Sequence, residues 1–179
     1  MHTQQKNFCS KIASQHNQHF VDKNVVDFGS ADVNGNNRYL FTNCTYTGID
    51  VGPFRNVDVV SKAHEYQPPA PVDTVISSEM LEHDKHWRES VRHMVDILKP
   101  GGMLMFTCAT TGRAEHGTRR SDPSSSPITS KFDDWQDYYC NLTEADIRSV
   151  LDVENEFSSF GFEIGTETCD LYFWGIKNV

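Results

Sequence analysis

Apolar and polar positions follow one another along this chain in a pattern typical of short strands separated by turns and helices. Four β-rich runs come before residue 80, and they predict strands over 24–28, 46–50, 57–60 and 72–77. A continuously apolar run over 103–108 indicates a strand that is buried on both faces. Two aromatic-rich strands, 157–165 and 171–177, have no helical pattern between them, so we expect them to pair antiparallel.

Helical patterns lie between and around these strands. Apolar residues at helical spacing predict a helix from Trp87 through Leu98, ended by Pro-Gly-Gly at 100–102. A weaker pattern predicts a leading helix over 8–20, and Thr143 is the expected N-cap of a short helix. Alternating strands and helices or short crossovers predict an α/β fold, with a mostly parallel sheet between two helical layers and a C-terminal antiparallel hairpin.

The chain length of 179 residues suits one domain, so we expect residues 1–179 to form a single domain without a separate substrate-binding domain. Residues 1–23 would be its helical lead-in. Residues 110–142 are polar and partly rich in serine and proline. We expect them to form a long loop that binds substrate or closes over it as a lid.

Composition and charge narrow the classes of function. A hydrophobic fraction of 37% supports a packed core, and a net charge of −9 argues against a nucleic-acid partner. No apolar run approaches a membrane span and the N-terminus lacks a signal-peptide pattern, so we expect a cytoplasmic protein without membrane contact. The five cysteines are scattered, which predicts reduced thiols and no metal site. The oligomeric state stays open.

A glycine turn, Gly29-Ser30-Ala31, follows Asp27 at the end of the first predicted strand. Ligands of open α/β sheets bind outside the carboxyl ends of the strands, and glycine lets the backbone approach them closely. Asp50 ends the second strand, 21 residues after Gly29, where a carboxylate can accept both ribose hydroxyls of an adenosine. Because Ala31 replaces the second glycine of the dinucleotide fingerprint, an adenosine ligand without phosphates fits better than NAD.

Four segments occur in a fixed order: VVDFGSA at 25–31, YTGID at 46–50, VDTVISSEMLEH at 72–83 and LKPGG at 98–102. In this order they resemble the class I S-adenosylmethionine-dependent methyltransferases, over about residues 24–110. The resemblance implies a three-layer, Rossmann-like methyltransferase fold, with S-adenosylmethionine as cofactor and a small molecule as methyl acceptor.

The resemblance also implies roles for individual positions. The implied cofactor residues are Asp27, Gly29, Ser30 and Ala31 at the methionyl end, Asp50 at the ribose, Val51, Ala63 and His64 at the adenine, and Ser78 and Glu79 at the sulfonium. Two positions depart from the family pattern. Ala31 stands where relatives usually carry glycine, and Lys62 stands where they often carry an acid that binds the adenine amine, which a lysine cannot do.

Methyl transfer requires that donor and acceptor are aligned and that a hydroxyl acceptor loses its proton. His83 lies four residues after Glu79, so we expect both to face the crevice on one helical turn, with His83 as a catalytic base. The alternative is that Glu82 and His83 merely cap or orient the following helix. His116 is the second candidate base.

A basic cluster directly follows the fifth predicted strand and consists of Arg113, Arg119 and Arg120. Guanidinium groups suit carboxylate or phosphate, so these residues are candidates to bind an anionic acceptor. The alternative is a loop of solvated arginines, or a lid whose arginines pair with surface acids. In the same segment Trp135, Tyr138 and Tyr139 either close an aromatic wall over the site or simply pack.

The histidines favour O-methylation of a small or soluble acceptor, anionic if the arginines bind it. Two other functions stay open. A catalytically inactive S-adenosylmethionine-binding regulatory or partner protein is favoured by Ala31 and Lys62. A nicotinamide-dependent oxidoreductase is permitted by the fold alone.

Overall fold

The computed structural model describes residues 2–179, and its strands form one seven-stranded sheet. The strands are β1 (Asn24–Phe28), β2 (Thr45–Asp50), β3 (Val59–Val60), β4 (Val72–Ser78), β5 (Leu98–Ala109), β6 (Phe157–Gly165) and β7 (Asp170–Lys177). Their order across the sheet is β3-β2-β1-β4-β5-β7-β6. The first five strands run parallel, whereas β7 is antiparallel to both β5 and β6. The predicted parallel sheet with a C-terminal antiparallel hairpin is confirmed.

Helices cover both faces of this sheet. They are α1 (Thr3–Gln15), α2 (Trp87–Asp96), α3 (Glu144–Arg148) and α4 (Val153–Glu156). On one face, Phe8 and Ile12 of α1 pack in a core cluster with Ile76 and Met105. The other face carries a larger cluster to which α2, α3 and α4 all contribute buried side chains. The predicted three-layer α/β architecture is therefore confirmed. No helix in residues 2–179 combines the length and apolarity needed to span a bilayer.

The boundaries predicted for two helices are wrong, and the strand predicted over 57–60 comprises only Val59–Val60. Helix α2 ends at Asp96, and Leu98 already pairs with Val72 as the first residue of β5. Leu98 is buried in either arrangement, so its apolar character could not distinguish the end of a helix from the start of a strand. The leading helix lies at Thr3–Gln15 rather than over 8–20, and only a short 3-10 turn follows it.

The predicted N-cap of the short helix α3 is confirmed. The Thr143 hydroxyl accepts the backbone N–H of Asp146, and the Asp146 carboxylate accepts the backbone N–H of Thr143 in return. This reciprocal capping box satisfies two N–H groups that the first turn of a helix leaves without partners. It fixes the point at which the chain leaves the long segment 110–142.

The chain reverses direction across the sheet at β1. Strand β1 pairs with β2 on one side and with β4 on the other, so the connections after β1 and β4 diverge at their carboxyl ends. A crevice at such a switch point is where open α/β sheets bind ligands. Between β1 and β2 the described chain contains only the 3-10 turn Arg38–Leu40, and no long helix that could receive a pyrophosphate.

Residues 110–142 pack closely although their regular structure is limited, in the described chain, to two 3-10 turns, Thr129–Lys131 and Asp133–Trp135. Trp135 is buried, with 4% of its surface exposed. Ile128 lies so close to Gly52 that a Cβ built at that glycine would be 2.7 Å from the Ile128 Cγ2 atom. The segment therefore lies against the loop that follows β2.

Candidate functional site

The glycine turn after β1 is required by close packing. Gly29 has a positive φ of +75°, and a Cβ at this position would overlap the Cβ of Met80, which follows β4. The backbone N–H groups of Gly29 and Ser30 both donate to the carbonyl of Ile49, at 2.9 and 3.0 Å. The turn is thus fixed between the ends of β2 and β4, directly at the switch point.

Asp50 is held in place by backbone N–H groups. Its Oδ2 accepts the N–H of Ala31 at 3.2 Å, and its Oδ1 accepts the N–H of Val51 at 2.8 Å. Burial raises the pKa of the Asp50 carboxyl to about 6. Each carboxylate oxygen can accept two hydrogen bonds. Asp50 therefore retains capacity for two further donors, such as a pair of vicinal hydroxyls.

Two cavities meet at Asp50. The first, which we call the apolar cavity, has a volume of about 310 Å³, and its walls include Phe28, Ile49, Val51, Ala63 and Trp135. The second, the polar cavity, has a volume of about 680 Å³, and its walls include Asp27, Asn36, Asn37, Ser78 and Glu79. The residues that line both are Gly29, Asp50, Met80, His83 and Thr129. An acid thus stands between an apolar and a polar compartment.

The crevice gathers most of the residues that the sequence assigned to a cofactor. Of those ten positions, all except His64 line at least one cavity. His64 instead packs against His86, with the ring centroids 4.5 Å apart. Lys62 does not line either cavity, and its ammonium group pairs with Glu65 at 2.9 Å. The lysine therefore does not intrude on the crevice.

Acidic groups dominate the polar cavity. The Oδ2 atom of Asp27 accepts the Tyr46 hydroxyl at 2.5 Å, whereas Oδ1 is buried and has no hydrogen-bond partner within residues 2–179. Burial raises the pKa of Asp27 to about 7. Glu79 accepts the Thr107 hydroxyl at 2.8 Å, and burial followed by the charge of Asp170 raises the pKa of Glu79. The cavity suits a ligand group that donates hydrogen bonds or carries positive charge.

His83 reaches the crevice by a route other than the predicted one. Glu79 has a φ of +54° and Leu81–His83 is a 3-10 turn, so the expected α-helical turn between Glu79 and His83 is wrong. The α-helix begins only at Trp87. His83 nevertheless lines both cavities and is 4% exposed. Burial, and then the charges of His116 and Arg113, lower the pKa of His83 to about 3, so its imidazole is neutral.

The structure brings the two candidate histidines together. The rings of His83 and His116 are perpendicular, with centroids 5.1 Å apart. Tyr139 contacts both, at centroid distances of 5.6 Å from His83 and 5.0 Å from His116. Burial is the main cause that lowers the pKa of His116 as well. His116 does not itself line either cavity, so it lies behind His83 as seen from the crevice.

The three arginines of the segment 110–142 all lie in ion pairs. These pairs are Arg113 with Asp170, Arg119 with Asp137, and Arg120 with Glu115. The side chains of Arg119 and Arg120 are 64% and 58% exposed, and none of the three arginines lines either cavity. The arrangement matches the paired-lid alternative, and acceptor binding by these arginines stays a prediction.

Several lining residues carried no signal that the sequence analysis used. Asn36 and Asn37 line the polar cavity, and the dense run of turn-forming residues at 34–37 directly after β1 could have indicated them. Thr129 comes from the segment 110–142 and lines both cavities. Glu82 does not line either cavity, and the sequence analysis did not predict that it would lie beside the two candidate histidines, because it was considered only as a cap of the following helix.

An α/β sheet with an acid between two cavities at its switch point has the arrangement in which open α/β folds commonly bind ligands that carry a ribose. The family comparison is more specific, since a model described as a methyltransferase domain matches residues 1–167. The chain belongs to this methyltransferase-domain family. The resemblance inferred from the four sequence segments is confirmed.

Solved methyltransferases share the fold. One is the 1,6-didemethyltoxoflavin-N1-methyltransferase of Burkholderia thailandensis, solved with 1,6-didemethyltoxoflavin and S-adenosylhomocysteine (TM-score 0.64, 15% identity, 96% of this chain and 77% of that one). Another is the N-methyltransferase NodS of Bradyrhizobium japonicum WM9 (0.62, 14%, 97% and 96%). A third is phosphoethanolamine N-methyltransferase 2 of Haemonchus contortus with S-adenosyl-L-methionine (0.66, 14%, 97% and 53%). Comparison with curated proteins gives no significant match. At these identities the likeness concerns the fold.

Proposed function

We propose that this chain is an S-adenosylmethionine-dependent methyltransferase that methylates an oxygen atom of a small or soluble acceptor. The position of Asp50 carries the cofactor assignment. Its carboxylate stands where the apolar and polar cavities meet, and backbone N–H groups orient it with acceptor capacity to spare. S-adenosylmethionine has the same three-part layout, with an apolar base, a ribose diol and a charged methionyl end.

The cavity walls match these parts in order. The adenine lies in the apolar cavity, against Val51 and Ala63. The ribose hydroxyls donate to Asp50, a charge-assisted pair of hydrogen bonds. The methionyl end lies in the polar cavity, where the buried and unpartnered Oδ1 of Asp27 suits an ammonium group, within the part of the chain described. Ser78 and Glu79 flank the sulfonium.

The cofactor supplies an already activated methyl group, so the chain must mainly align the acceptor and manage its proton. The two histidines are the groups proposed for the second task. Burial lowers the pKa of both imidazoles, so both are neutral at physiological pH and have a lone pair available. The neutral imidazole of His83 at the wall of both cavities, with His116 behind it, favours a hydroxyl acceptor, and this is the basis of the O-methylation proposal.

The acceptor is proposed to enter beside the segment 110–142. Arg113 lies at the buried end of this segment, where its guanidinium donates to the Thr168 carbonyl at 2.6 Å and faces Asp170. Arg119 and Arg120 lie at its exposed surface. An anionic acceptor therefore has to displace their present carboxylate partners, Asp170, Asp137 and Glu115.

The inactive-protein alternative gains no support from the two departures that suggested it. Ala31 contributes its backbone N–H to Asp50, a contact that any residue other than proline can make. Lys62 points to Glu65 and does not line the cavities. The crevice therefore retains its volume at both positions.

The cofactor assignment is tested by calorimetric titration with S-adenosylhomocysteine. We expect Asp50→Ala to weaken binding at least ~100-fold, because two hydrogen bonds to a charged group are lost. Asp96→Ala, which removes an exposed acid of α2, is the matched control and should bind as the wild type does. Equal affinity of all three proteins would overturn the site. Binding of NAD in place of S-adenosylhomocysteine would support the oxidoreductase.

The catalytic assignment is tested with methyl-labelled cofactor and a small-molecule extract. We expect label transfer by the wild type and a loss of roughly 10²-fold in His83→Ala and His116→Ala. A loss below threefold in both variants would contradict the role of the histidines. Tight cofactor binding without any label transfer would support the inactive binding protein.

A further inference from the structure

Behind the crevice, three side chains from two distant segments converge. Glu82 and His83 lie on the 3-10 turn after β4, and His116 lies in the segment 110–142. One carboxylate oxygen of Glu82 and one ring nitrogen of each histidine all lie within 4.8 Å of one another. We call these three residues the Glu82 cluster. Two imidazoles and one carboxylate at this separation are a donor set that binds metal ions.

The cluster is buried and lacks partners of its own. Glu82 is fully buried, and neither of its carboxylate oxygens makes a hydrogen bond of normal geometry within residues 2–179. The Nδ1 atom of His83 is likewise buried and unpartnered in the described chain. Burying a polar group without a hydrogen-bond partner costs about 1–3 kcal/mol, and native structures rarely leave such groups unsatisfied. These atoms therefore call for a partner that the chain does not provide.

The charges that act on the cluster come from Glu79 and Arg113. Burial and the nearby charge of Glu79 raise the pKa of Glu82 well above its ordinary value, so its carboxyl is neutral while no ion is bound. The charge of Arg113 acts on His83, but this guanidinium is engaged with Thr168 and Asp170. Arg113 is therefore not free to pair with the Glu82 carboxylate.

In a second cluster of closely spaced polar side chains, the carboxylates have partners within the chain. His2, Glu79 and Asp170 also offer closely spaced donor atoms. There the His2 ring pairs with Asp170 at 2.9 Å, and the Thr107 hydroxyl donates to Glu79. Both carboxylates there have a polar partner within the described residues, although His2 Nε2 makes no hydrogen bond of normal geometry. The Glu82 cluster does not have this arrangement.

We propose that Glu82, His83 and His116 bind one divalent transition-metal ion. Three protein ligands leave coordination positions open, which is typical of catalytic rather than structural sites. Imidazole ligands favour ions such as Mn²⁺, Co²⁺ or Zn²⁺ over Mg²⁺ and Ca²⁺. Bonds of about 2.0–2.2 Å hold the ligand atoms of a tetrahedral ion about 3.4 Å apart, so side-chain rotations have to bring the three atoms closer together than their present limit of 4.8 Å. The set contains no cysteine, so the cysteine spacing that predicted no metal does not bear on it.

Local backbone features hold the cluster together. Gly117 has a φ of +66°, and a Cβ there would lie 2.6 Å from the Cε1 atom of His83. Glycine thus lets the chain next to His116 lie directly on the His83 ring. The N–H of Cys140 donates to the Glu82 carbonyl at 2.9 Å. This bond places Tyr139, whose hydroxyl is buried without a partner in the described residues, beside both histidines.

The role of the ion toward the acceptor rests on the proposed function. His83 lines both cavities, so an ion on its ring lies next to the crevice. An acceptor hydroxyl that completes the coordination becomes more acidic and loses its proton to solvent. The acceptor oxygen then forms a bond to the methyl carbon, the carbon–sulfur bond breaks, and its electron pair remains on sulfur as a neutral thioether. The histidines act on the acceptor through the ion rather than as free bases.

The site is tested by titrating chelator-treated full-length protein with Mn²⁺, followed by calorimetry and by the electron paramagnetic resonance signal of free Mn²⁺. We expect one ion to bind per chain. Glu82→Gln and His116→Ala should each weaken binding at least tenfold. Glu115→Gln and His16→Ala, which change the same residue types outside the cluster, should stay within twofold of the wild type. Circular dichroism verifies that each variant is folded, and His116→Ala suffices if Glu82→Gln is not.

Two results would overturn the proposal: no binding of Mn²⁺ or Zn²⁺ to the wild type, or binding that both cluster variants retain. Two measurements separate this outcome from failure of the proposed function. Asp50→Ala should lose S-adenosylhomocysteine but keep Mn²⁺, and His116→Ala should do the reverse. Loss of label transfer in His116→Ala without any Mn²⁺ binding to the wild type would return the histidine to the role of a free base.

Discussion

The half-buried Asp50 and the fully buried Glu82 are accommodated in opposite ways. The oxygens of Asp50 accept backbone N–H groups from Ala31 and Val51. The oxygens of Glu82 make no hydrogen bond of normal geometry within the described residues. The Asp50 carboxylate accepts hydrogen bonds from the chain itself, and its oxygens can accept two more from a ligand in the crevice. The Glu82 oxygens have no such partner among residues 2–179 and gain one only when a ligand or an ion binds to them.

The surroundings of Asp50 and of Glu82 are built from different parts of the fold. The surroundings of Asp50 come from two turns that the parallel sheet necessarily places side by side. The surroundings of Glu82 come from a segment more than thirty residues further along, which is held against β4 by loop contacts. One environment follows from the sheet and the other from the course of a loop. Perturbing each in turn tests this distinction.

The largest expected effect comes from the turn beside Asp50. In Gly29→Ala, a residue other than glycine is forced to positive φ and its Cβ overlaps Met80, so we expect a loss of about 3 kcal/mol in the free energy of unfolding. Gly101→Ala is the matched control, because Gly101 has nearly the same φ of +73° but nothing within 4 Å of the added Cβ. It should lose only ~1 kcal/mol in urea unfolding. Equal losses would show that the contact with Met80 is unimportant.

A smaller effect is expected from the third acid of the crevice, Asp27. Burial raises its pKa to about 7 in the folded protein, above the ordinary value of 3.8, so the folded state holds a proton that the unfolded state releases between these values. The free energy of unfolding of the wild type, relative to that of Asp27→Asn, is therefore highest at acidic pH and falls as the pH rises to about 7. Between pH 5 and 8 this difference should fall by roughly 2 kcal/mol. A difference that is constant or increases with pH would contradict the raised pKa.

Asp50→Asn and Glu82→Gln compare the two acids directly. In Asp50→Asn one backbone N–H faces an amide N–H₂ instead of an oxygen, so we expect a loss of about 1–2 kcal/mol. In Glu82→Gln, measured without metal, a neutral carboxyl is replaced by a neutral amide, and we expect a change below ~0.5 kcal/mol. Thermal and urea unfolding in the presence of a chelator measure both. A larger loss in Glu82→Gln would mean that the chain itself stabilises the Glu82 carboxylate.

The smallest effect is expected at the surface of the segment 110–142. Arg119→Ala and Arg120→Ala break exposed ion pairs, which contribute at most ~1 kcal/mol to stability. If these side chains bind the acceptor, its apparent KM rises at least threefold while kcat is unchanged. Arg148→Ala removes another exposed, ion-paired arginine and is the control. An unchanged KM in both variants would show that the two arginines form surface ion pairs and do not bind the acceptor.

The sequence was informative where chemistry is local. Gly29, Asp50 and the capping residue Thr143 each act within a single turn or between strand ends whose adjacency the parallel sheet guarantees. The sequence could not place Glu82 against His116, because the path of the intervening segment depends on packing rather than periodicity. It also misjudged the geometry between Glu79 and His83, where the positive φ of Glu79 replaces the expected helical turn. A carboxylate in that strained position gives no local signal.

The glycine turn also bears on how the family can diverge. Gly29 has no room for a Cβ, whereas position 31 contributes a backbone N–H to Asp50 and accommodates a methyl group in the wall of the polar cavity. Exchange of glycine for alanine at position 31 therefore has little consequence, whereas position 29 has to remain glycine. A search for distant homologues that demands both glycines would overlook sequences such as this one, and a search that weights the first glycine and the acid after β2 would retain them.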